Sequence, residues 1–225
     1  DMNTDAEIMG WIMDTYSMMK GHAVQGIVTG KPLDLGGSMG AEEAPARGLA
    51  FVARELLKRL KMPMELATAA ILGMGKVGAG VARILYTEGI RIMAVGDVTG
   101  AVYCRSGLHI PGLLEHLRQG KLLCDYQDAG VQHITNDELL RLECDILVPA
   151  ALECQLCEKN AGEIGAKIII EGAHCPTTWK ADEILAERGV VVVPDILANA
   201  GGMIVSYFEW VQNIQSLMWD EDEVN

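Results

Sequence analysis

Short apolar runs alternate with segments of helical periodicity along most of the chain. Five runs are apolar at nearly every position: Leu66–Leu72, Arg91–Val95, Asp145–Pro149, Lys167–Glu171 and Val190–Pro194. Strands that are apolar on both faces are typical of a parallel sheet that helices cover on both sides. These runs therefore predict the strands of such a sheet.

The segments between the runs have the three-and-four apolar spacing of amphipathic helices. They predict helices at Val77–Glu88, Pro111–Arg118, Asn136–Leu142, Glu153–Glu163 and Trp179–Arg188. Thr135 and Glu138 have the spacing of a capping box at the start of one of them. A repeated strand, helix, strand order implies right-handed crossovers. The predicted fold class is therefore α/β, a doubly wound and mostly parallel sheet of the Rossmann type with helices on both faces.

Two more helices are predicted before the first run. Thr4 and Glu7 also have capping-box spacing, and Gly21 can end the helix that follows them. The second helix is predicted from Leu49 to Leu60, with one side facing the core. Residues 26–48 are rich in glycine and proline, which predicts an ordered loop.

The charge of the chain narrows the classes of function. The chain has 225 residues, half of them hydrophobic, and a formal net charge of -13. This charge repels phosphate backbones and anionic lipids, so we expect small-molecule partners, with no nucleic acid and no membrane. No apolar run approaches the roughly 20 residues of a membrane span, and the segment from Asp1 to Thr4 lacks the features of a signal peptide. We therefore expect a cytoplasmic protein.

Six cysteines are spread over a chain much larger than the secreted domains that disulfides stabilise, so free thiols are expected. Cys154 and Cys157 are the only pair close in sequence, and Cys175 beside His174 is the only weak candidate for a further metal ligand. A zinc site needs a second pair at matching spacing. We predict no metal site and thiols that are inert or mildly redox-active.

The segment Gly73-Met74-Gly75-Lys76-Val77-Gly78 matches the pattern G-x-G-x-x-G. It directly follows an apolar run and opens an amphipathic helix, and in that setting the motif binds the diphosphate of a dinucleotide. Asp97 ends the next predicted strand, where a carboxylate binds the ribose hydroxyls. The alternative is a glycine-rich turn in an α/β protein that binds another ligand.

The same residues bear on the choice of cofactor. Asp97 would repel a 2′-phosphate, which favours NAD. Lys76 and Arg105 carry charges that attract this phosphate, so NADP or dual use stays open.

Longer strings of residues follow one another along the chain. They include Thr29-Gly30-Lys31-Pro32-Leu33, Gly36-Gly37-Ser38, Asp97-Val98-Thr99-Gly100, Pro149-Ala150-Ala151-Leu152-Glu153 and the segment from Val193 through Gly202 to Asn213. Together these strings resemble the C-terminal dinucleotide-binding domain of glutamate dehydrogenases, in the Glu/Leu/Phe/Val dehydrogenase family.

The resemblance implies reversible oxidative deamination of L-glutamate to 2-oxoglutarate and ammonia, with hydride transfer to a nicotinamide ring. It also implies that the catalytic lysine and aspartate belong to an N-terminal domain outside this chain, so that the chain alone binds cofactor without turnover. The full-length protein is expected to be a homo-hexamer. We expect residues 1–25 to be a leading helix and connection, 26–215 the Rossmann-type domain and 216–225 a truncated C-terminal connection.

The resemblance also assigns roles residue by residue. It implies cofactor contacts for Gly73, Gly75, Lys76, Val77, Gly78, Asp97, Val98, Ala150, Ala151 and Asn199. It places Ser206 at the side-chain carboxylate of the substrate, and no catalytic residue is expected in the chain. The alternatives are that Asn199 only caps a helix and that the Ser206 hydroxyl bonds back to its own helix.

The chain departs from the family's usual residues at several positions. Relatives usually have arginine at Ala41, threonine-glycine at Pro45-Ala46, asparagine at Cys154 and asparagine-glycine at His174-Cys175. Several of these positions belong to loops expected near the nicotinamide, where hydride transfer depends on close geometry. A non-catalytic or regulatory homologue, or a dehydrogenase for another amino acid, is therefore an alternative.

Overall fold

The computed structural model describes residues 4–225. They form two compact units, one joining the residues up to Pro45 with Ala200–Asn225, and the other made of Ala46–Asn199. The larger unit, Ala46–Asn199, contains the sheet. These units are defined by packing alone, and the domain limits expected from the resemblance stay a prediction.

The order of the strands confirms the predicted fold class. The strands are β1 (Thr68–Leu72), β2 (Arg91–Asp97), β3 (Gly100–Tyr103), β4 (Gln132–Ile134), β5 (Cys144–Pro149), β6 (Ala166–Ile170) and β7 (Val191–Val193). Across the sheet they follow the order β4-β3-β2-β1-β5-β6-β7, and the part from β2 to β7 is parallel. All five predicted strands lie in this parallel part, with ends shifted by at most two residues.

The strands β3 and β4 extend the sheet beyond β2 in antiparallel orientation and were not predicted. A two-residue turn separates β2 from β3, because Asp97 pairs with Gly100. Gly100 has a φ of 129°, a conformation that glycine adopts without strain. β4 has only three residues, and none of them is buried. Neither strand has an apolar run long enough to be recognised.

Helices of the larger unit cover both faces of its sheet. The helices of the two units are α1 (Ala6–Lys20), α2 (Ala44–Arg59), α3 (Lys76–Thr87), α4 (Ile110–Arg118), α5 (Asn136–Arg141), α6 (Trp179–Glu187), α7 (Asp195–Ala198), α8 (Ala200–Gln215) and α9 (Glu221–Val224). Ala69 and Ile71 of β1 belong to a core cluster with residues of α2, α3 and α4, whereas Ala70 and Leu72 belong to a cluster with residues of α5 and α6. Burial on both faces explains why β1 is apolar throughout.

The helix predicted at Glu153–Glu163 is wrong, and only Ala161–Glu163 forms a short 3-10 helix. Cys154 has a left-handed backbone with a φ of 55°. The backbone of Leu156 then pairs with Pro176 and Thr178 in the loop after β6. A segment whose backbone hydrogen bonds go to another loop cannot make the bonds of an α-helix.

The predicted helix starts were right at α5 and wrong at α1. Thr135 and Glu138 form the predicted capping box at α5. At α1 the N-cap is Asp5, whose side chain accepts a hydrogen bond of 3.0 Å from the Ile8 amide, so the capping box predicted from Thr4 is wrong. Asp5 is a strong N-cap because its short carboxylate reaches the exposed amides of the first turn.

The start of α2 also differs from the prediction. The helix begins at Ala44, five residues before the predicted Leu49, within the segment predicted to be a loop. Pro45 is its second residue. Proline is compatible with the first turn of a helix, where the missing N–H would have no acceptor. Among the described residues, no helix is long and apolar enough to cross a membrane.

A polar cluster joins three strands at their N-terminal ends. Asp145 of β5 accepts hydrogen bonds of 2.9 Å from the amide and hydroxyl of Thr68 in β1 and of 2.8 Å from Lys167 in β6. Burial raises the pKa of Asp145, but the hydrogen bonds from Lys167 and Thr68 outweigh this effect and hold the pKa below its usual value. The Asp145 carboxylate therefore stabilises the N-terminal ends of β1, β5 and β6, at the end of the sheet opposite to the turn between β1 and α3.

Candidate functional site

The turn between β1 and α3 leaves room for a ligand at only part of its length. Gly73 has a φ of 109°, and a Cβ there would lie 2.6 Å from the carbonyl carbon and oxygen of Ala150. Gly78 lies directly against the carbonyl of Gly73. Gly75 differs from both, because nothing lies within 4 Å of the place where its Cβ would be. The open space at Gly75 is the place that a bound group can approach.

The start of α3 supplies hydrogen-bond donors at this open space. Gly75 is the N-cap of α3, Lys76 is its first residue and is exposed, and Val77 packs against the core. The first amides of a helix have no acceptor within the helix, and the helix dipole adds positive potential there. This arrangement suits a phosphate group.

Asp97 lies beside the turn. Leu72 of β1 pairs with Gly96 of β2, and the Gly73 amide donates a 2.7 Å hydrogen bond to the Gly96 carbonyl, so the residues that follow each strand are neighbours. The Oδ1 atom of Asp97 accepts hydrogen bonds of 2.7 Å from the Thr99 amide and 2.6 Å from its hydroxyl. The next residue, Val98, is 97% exposed at the tip of the β2–β3 turn.

The third wall of the site comes from the loop after β5. β1 lies between β2 and β5, so the chain leaves β1 toward β2 and later returns to its other side. Such a reversal opens a crevice at the C-terminal ends of the strands. The Ala150 amide donates a 2.7 Å hydrogen bond to the Leu72 carbonyl, and the next residue, Ala151, is exposed. The predicted alanines therefore lie next to the glycine-rich turn.

Asn199 connects the end of α7 to the loop after β6. It is the C-cap of α7, which agrees with the capping alternative. Its side-chain amide is also 3.5 Å from the Gly172 carbonyl oxygen, 3.4 Å from the Ala173 carbonyl oxygen and 3.4 Å from the Nδ1 atom of His174. These long contacts place the side chain at the same C-terminal edge of the sheet.

Ser206 belongs to the smaller unit, where it is half-buried on α8. Within residues 4–225, no hydrogen bond of its hydroxyl is found, so it does not bond back to its helix. One turn later, Glu209 forms a buried ion pair with Lys31, with side chains 1% and 0% exposed and an Nζ–Oε1 distance of 2.5 Å. Glu209 also accepts a 2.9 Å hydrogen bond from the Gly30 amide.

The ion pair is part of a larger attachment of the Thr29–Ser38 loop to α8. Asn213 donates a 2.6 Å hydrogen bond to the Gly36 carbonyl, and Gln212 donates one of 3.1 Å to the Ser38 hydroxyl. These residues belong to the sequence strings that carry the family resemblance, but the sequence alone assigned them no role. A lysine and a glutamate far apart in sequence give no local signal of a buried pair.

The structure explains two of the positions at which this chain differs from the usual residues of the family. Pro45 occupies the first turn of α2, as described above. Ala46 is buried, and a Cβ on Gly80 of α3 would lie 2.7 Å from the Ala46 Cβ. Ala46 therefore faces the packing between α2 and α3.

Comparison with known proteins agrees with this geometry. Residues 36–225 match the profile of the Glutamate/Leucine/Phenylalanine/Valine dehydrogenase family. The whole chain is 49% identical to a glutamate dehydrogenase of Thermotoga maritima and covers 54% of that protein. It is 45% identical to the NAD-specific glutamate dehydrogenase A of Halobacterium salinarum and covers 51% of it. The chain thus spans about half the length of the curated relatives it matches.

Solved structures give the same result. The hetero-hexameric glutamate dehydrogenase from Thermus thermophilus, in a leucine-bound form, matches the whole chain with a TM-score of 0.91 and 36% identity, and the chain covers 52% of that structure. Glutamate dehydrogenase from Peptoniphilus asaccharolyticus matches with a TM-score of 0.81, also at 36% identity, and is covered to 52%. The chain therefore belongs to the glutamate/leucine/phenylalanine/valine dehydrogenase family.

Proposed function

We propose that this chain is the C-terminal, dinucleotide-binding domain of a glutamate dehydrogenase, which converts L-glutamate reversibly to 2-oxoglutarate and ammonia. One observation carries the proposal: the turn after β1 is packed at Gly73 and Gly78 but open at Gly75, directly before the helix amides of α3. This is the shape that a diphosphate needs. The family of the chain and the glutamate dehydrogenases among its relatives support the reaction.

Each candidate residue has a part in this proposal. The amides from Gly75 to Gly78 bind the diphosphate, and the Asp97 carboxylate accepts hydrogen bonds from the ribose. Ala150 and Ala151 line the crevice, and Asn199 contacts the nicotinamide. The bound nicotinamide supplies the hydride acceptor. Ser206 donates a hydrogen bond to the side-chain carboxylate of glutamate.

We propose NAD as the preferred cofactor because the negative charge of Asp97 opposes a 2′-phosphate. The name of the NAD-specific relative supports this preference. Lys76 is exposed at the first position of α3, where it attracts phosphate, so NADP is proposed as a weaker cofactor. The proposal also places the catalytic lysine and aspartate in an N-terminal domain outside this chain. The full-length protein is proposed to be a cytoplasmic homo-hexamer.

The test is glutamate-dependent reduction of NAD and NADP by the full-length protein, combined with titration calorimetry of the chain. We expect turnover with NAD, less with NADP, and heat of binding for the chain without turnover. If neither dinucleotide gives heat or a thermal shift with folded protein, the proposal is wrong.

A second candidate is a non-catalytic homologue that binds the dinucleotide without turnover. It is favoured by His174, which is 89% exposed and lies against the Asn199 amide. A neutral or charged imidazole there alters the surroundings of the proposed nicotinamide contact. Binding of NAD by the folded full-length protein, with no glutamate-dependent reduction, would select this candidate over an active enzyme.

A further inference from the structure

Two exposed cysteines meet where the loops after β5 and β6 run side by side. Cys154 and Cys175 are both exposed, and the Cys154 amide donates a 3.0 Å hydrogen bond to the Cys175 carbonyl. The next residues continue the pairing, because Leu156 forms a parallel bridge with Thr177. Counting two residues back along both loops from this bridge places Cys154 opposite Cys175.

The hydrogen bond limits the distance between the two residues. With standard bond lengths, a 3.0 Å bond from one amide to the other carbonyl keeps the two Cα atoms within about 7 Å of each other. Disulfides join residues whose Cα atoms are usually about 4.4 to 6.8 Å apart. The backbone therefore keeps this pair close enough for its Cα separation to fall in the range of disulfides.

The backbone conformation of both residues is unusual for cysteine. Cys154 has a φ of 55° and Cys175 a φ of 45°, in the left-handed region that disfavours most side chains. Such a conformation is strained in a non-glycine residue, and it often marks a functional position. Here two neighbouring loops each carry this strain at a thiol.

We propose that Cys154 and Cys175 are a thiol–disulfide exchange site whose substrate is a low-molecular-weight disulfide. The thiolate of one cysteine attacks this disulfide, its sulfur–sulfur bond breaks, and one small thiol leaves as a mixed disulfide forms. The second cysteine, after losing its proton, attacks the protein sulfur of the mixed disulfide and releases the second small thiol. Two protein thiols are oxidised and one small disulfide is reduced to two thiols.

Three of the other four cysteines are poorer candidates. Cys104 and Cys144 are buried, and burial together with the charge of Asp145 raises the pKa of Cys144 to about 12, which keeps it protonated. Cys157 is half-buried, and its amide is bonded to the Asn160 side chain at 2.8 Å. Among residues 4–225, no group of three side chains that could hold a metal ion is found, so nothing there assigns the pair to a metal site.

The resulting disulfide would tie together two loops at the C-terminal edge of the sheet. Ala150 precedes Cys154 in the first loop, and Ala173 precedes Cys175 in the second, where its carbonyl contacts Asn199. The exchange site is independent of whether a dinucleotide binds at this edge. Its failure and the failure of the proposed function are therefore separate results.

The test uses the full-length protein treated with oxidised glutathione, blocked with iodoacetamide and digested with trypsin without reduction. Cleavage after Arg141, Lys159, Lys167 and Lys180 places Cys154 in peptide 142–159 and Cys175 in peptide 168–180. We expect these peptides to be joined by a bond that dithiothreitol breaks. The variants Cys154→Ser and Cys175→Ser should each lose the joined species, whereas Cys157→Ser and Cys124→Ser should keep it.

Several results would overturn the proposal. One is peptide 142–159 closed on itself, which would place the bond among its own cysteines, Cys144, Cys154 and Cys157. A second is the joined species persisting in Cys154→Ser, which would make another cysteine the partner of Cys175. A third is glutathione mixed disulfides alone, or no reaction, in protein whose thermal unfolding shows that it is folded.

Discussion

A Cβ on Gly78 would lie 1.8 Å from the carbonyl oxygen of Gly73. The first turn of α3 therefore rests on the end of β1 with no room for a side chain. Gly75, between these two residues, has open space at the same position. Two glycines of one motif thus serve packing within the protein, and the third faces outward, where a ligand can approach.

Alanine substitutions separate these two roles. We expect Gly78→Ala to reduce the free energy of unfolding by about 2 kcal/mol or more, because the backbone must move to avoid the Gly73 carbonyl. Gly75→Ala should change it by less than about 1 kcal/mol, since the residue has an ordinary negative φ of -73° and nothing touches its Cβ. Urea unfolding of the two variants measures the difference.

Gly75→Ala should weaken dinucleotide binding although it leaves the stability of the protein nearly unchanged. The added methyl group would occupy the space proposed for the diphosphate, so Gly75→Ala should weaken NAD binding at least about tenfold, or 1.4 kcal/mol. Calorimetry on the folded variant measures this change. Unaltered binding in Gly75→Ala would show that the diphosphate does not approach the turn there.

Asp97 should control the choice between NAD and NADP. Asp97→Asn removes the negative charge but keeps an oxygen that can accept the hydrogen bonds from Thr99, so the turn should fold as before. We expect the ratio of NADP affinity to NAD affinity to rise about tenfold, because the repulsion of the 2′-phosphate disappears. Thr99→Val is the control for a disturbed turn. An equal rise in Thr99→Val would mean that the turn, and not the charge, sets the preference.

The sequence predicted the parallel sheet well because each strand is buried on both faces. β5 is the clearest example, since all its residues from Cys144 to Pro149 are buried. β4 gave no signal because its three residues are exposed or half-buried and depend on pairing with β3. The segment from Glu153 to Glu163 had helical spacing, but backbone pairing between Leu156 and the loop after β6 decides its structure. Long-range pairing of this kind is not visible in local periodicity.

The sequence also predicted part of the candidate site. The glycine-rich turn and Asp97 were recognised because they are local motifs with a fixed order. The different roles of Gly73, Gly75 and Gly78 needed coordinates, because they depend on Ala150 and on the Gly73 carbonyl. The buried pair of Lys31 and Glu209 was missed for the same reason, since only the folded chain brings these residues together.

The Lys31–Glu209 pair should make a large contribution to stability in the smaller unit. Glu209→Gln would leave the buried Lys31 ammonium without its carboxylate, and we expect a loss of about 3 to 5 kcal/mol in the free energy of unfolding. Lys31→Met should cost less, because Glu209 keeps its hydrogen bond from the Gly30 amide. Denaturant unfolding of each variant is the measurement.

An exposed ion pair and a double variant serve as controls for this prediction. Glu115 and Arg118 form an exposed ion pair on α4, and Glu115→Gln should change the stability by less than about 0.5 kcal/mol. The double variant Lys31→Met/Glu209→Gln should be more stable than Glu209→Gln alone, since it contains no unpaired buried charge. Additive losses in the double variant would contradict a direct coupling between the two residues.

The carboxylate of Asp145 should make stability depend on pH in the acid range. Its pKa in the folded protein is lowered, so its contribution is complete above the unfolded-state pKa of about 3.9 and is lost as the pH falls through the lower folded-state pKa. At neutral pH, Asp145→Asn should reduce the free energy of unfolding by about 1 to 3 kcal/mol, because the hydrogen bonds to an ionised partner are lost. The difference between wild type and variant should shrink as the pH is lowered below about 4.

Asp34→Asn, at an exposed position, is the control and should show no such convergence. A difference for Asp145→Asn that stays constant down to acid pH would mean that the charge of the carboxylate does not hold β1, β5 and β6 together.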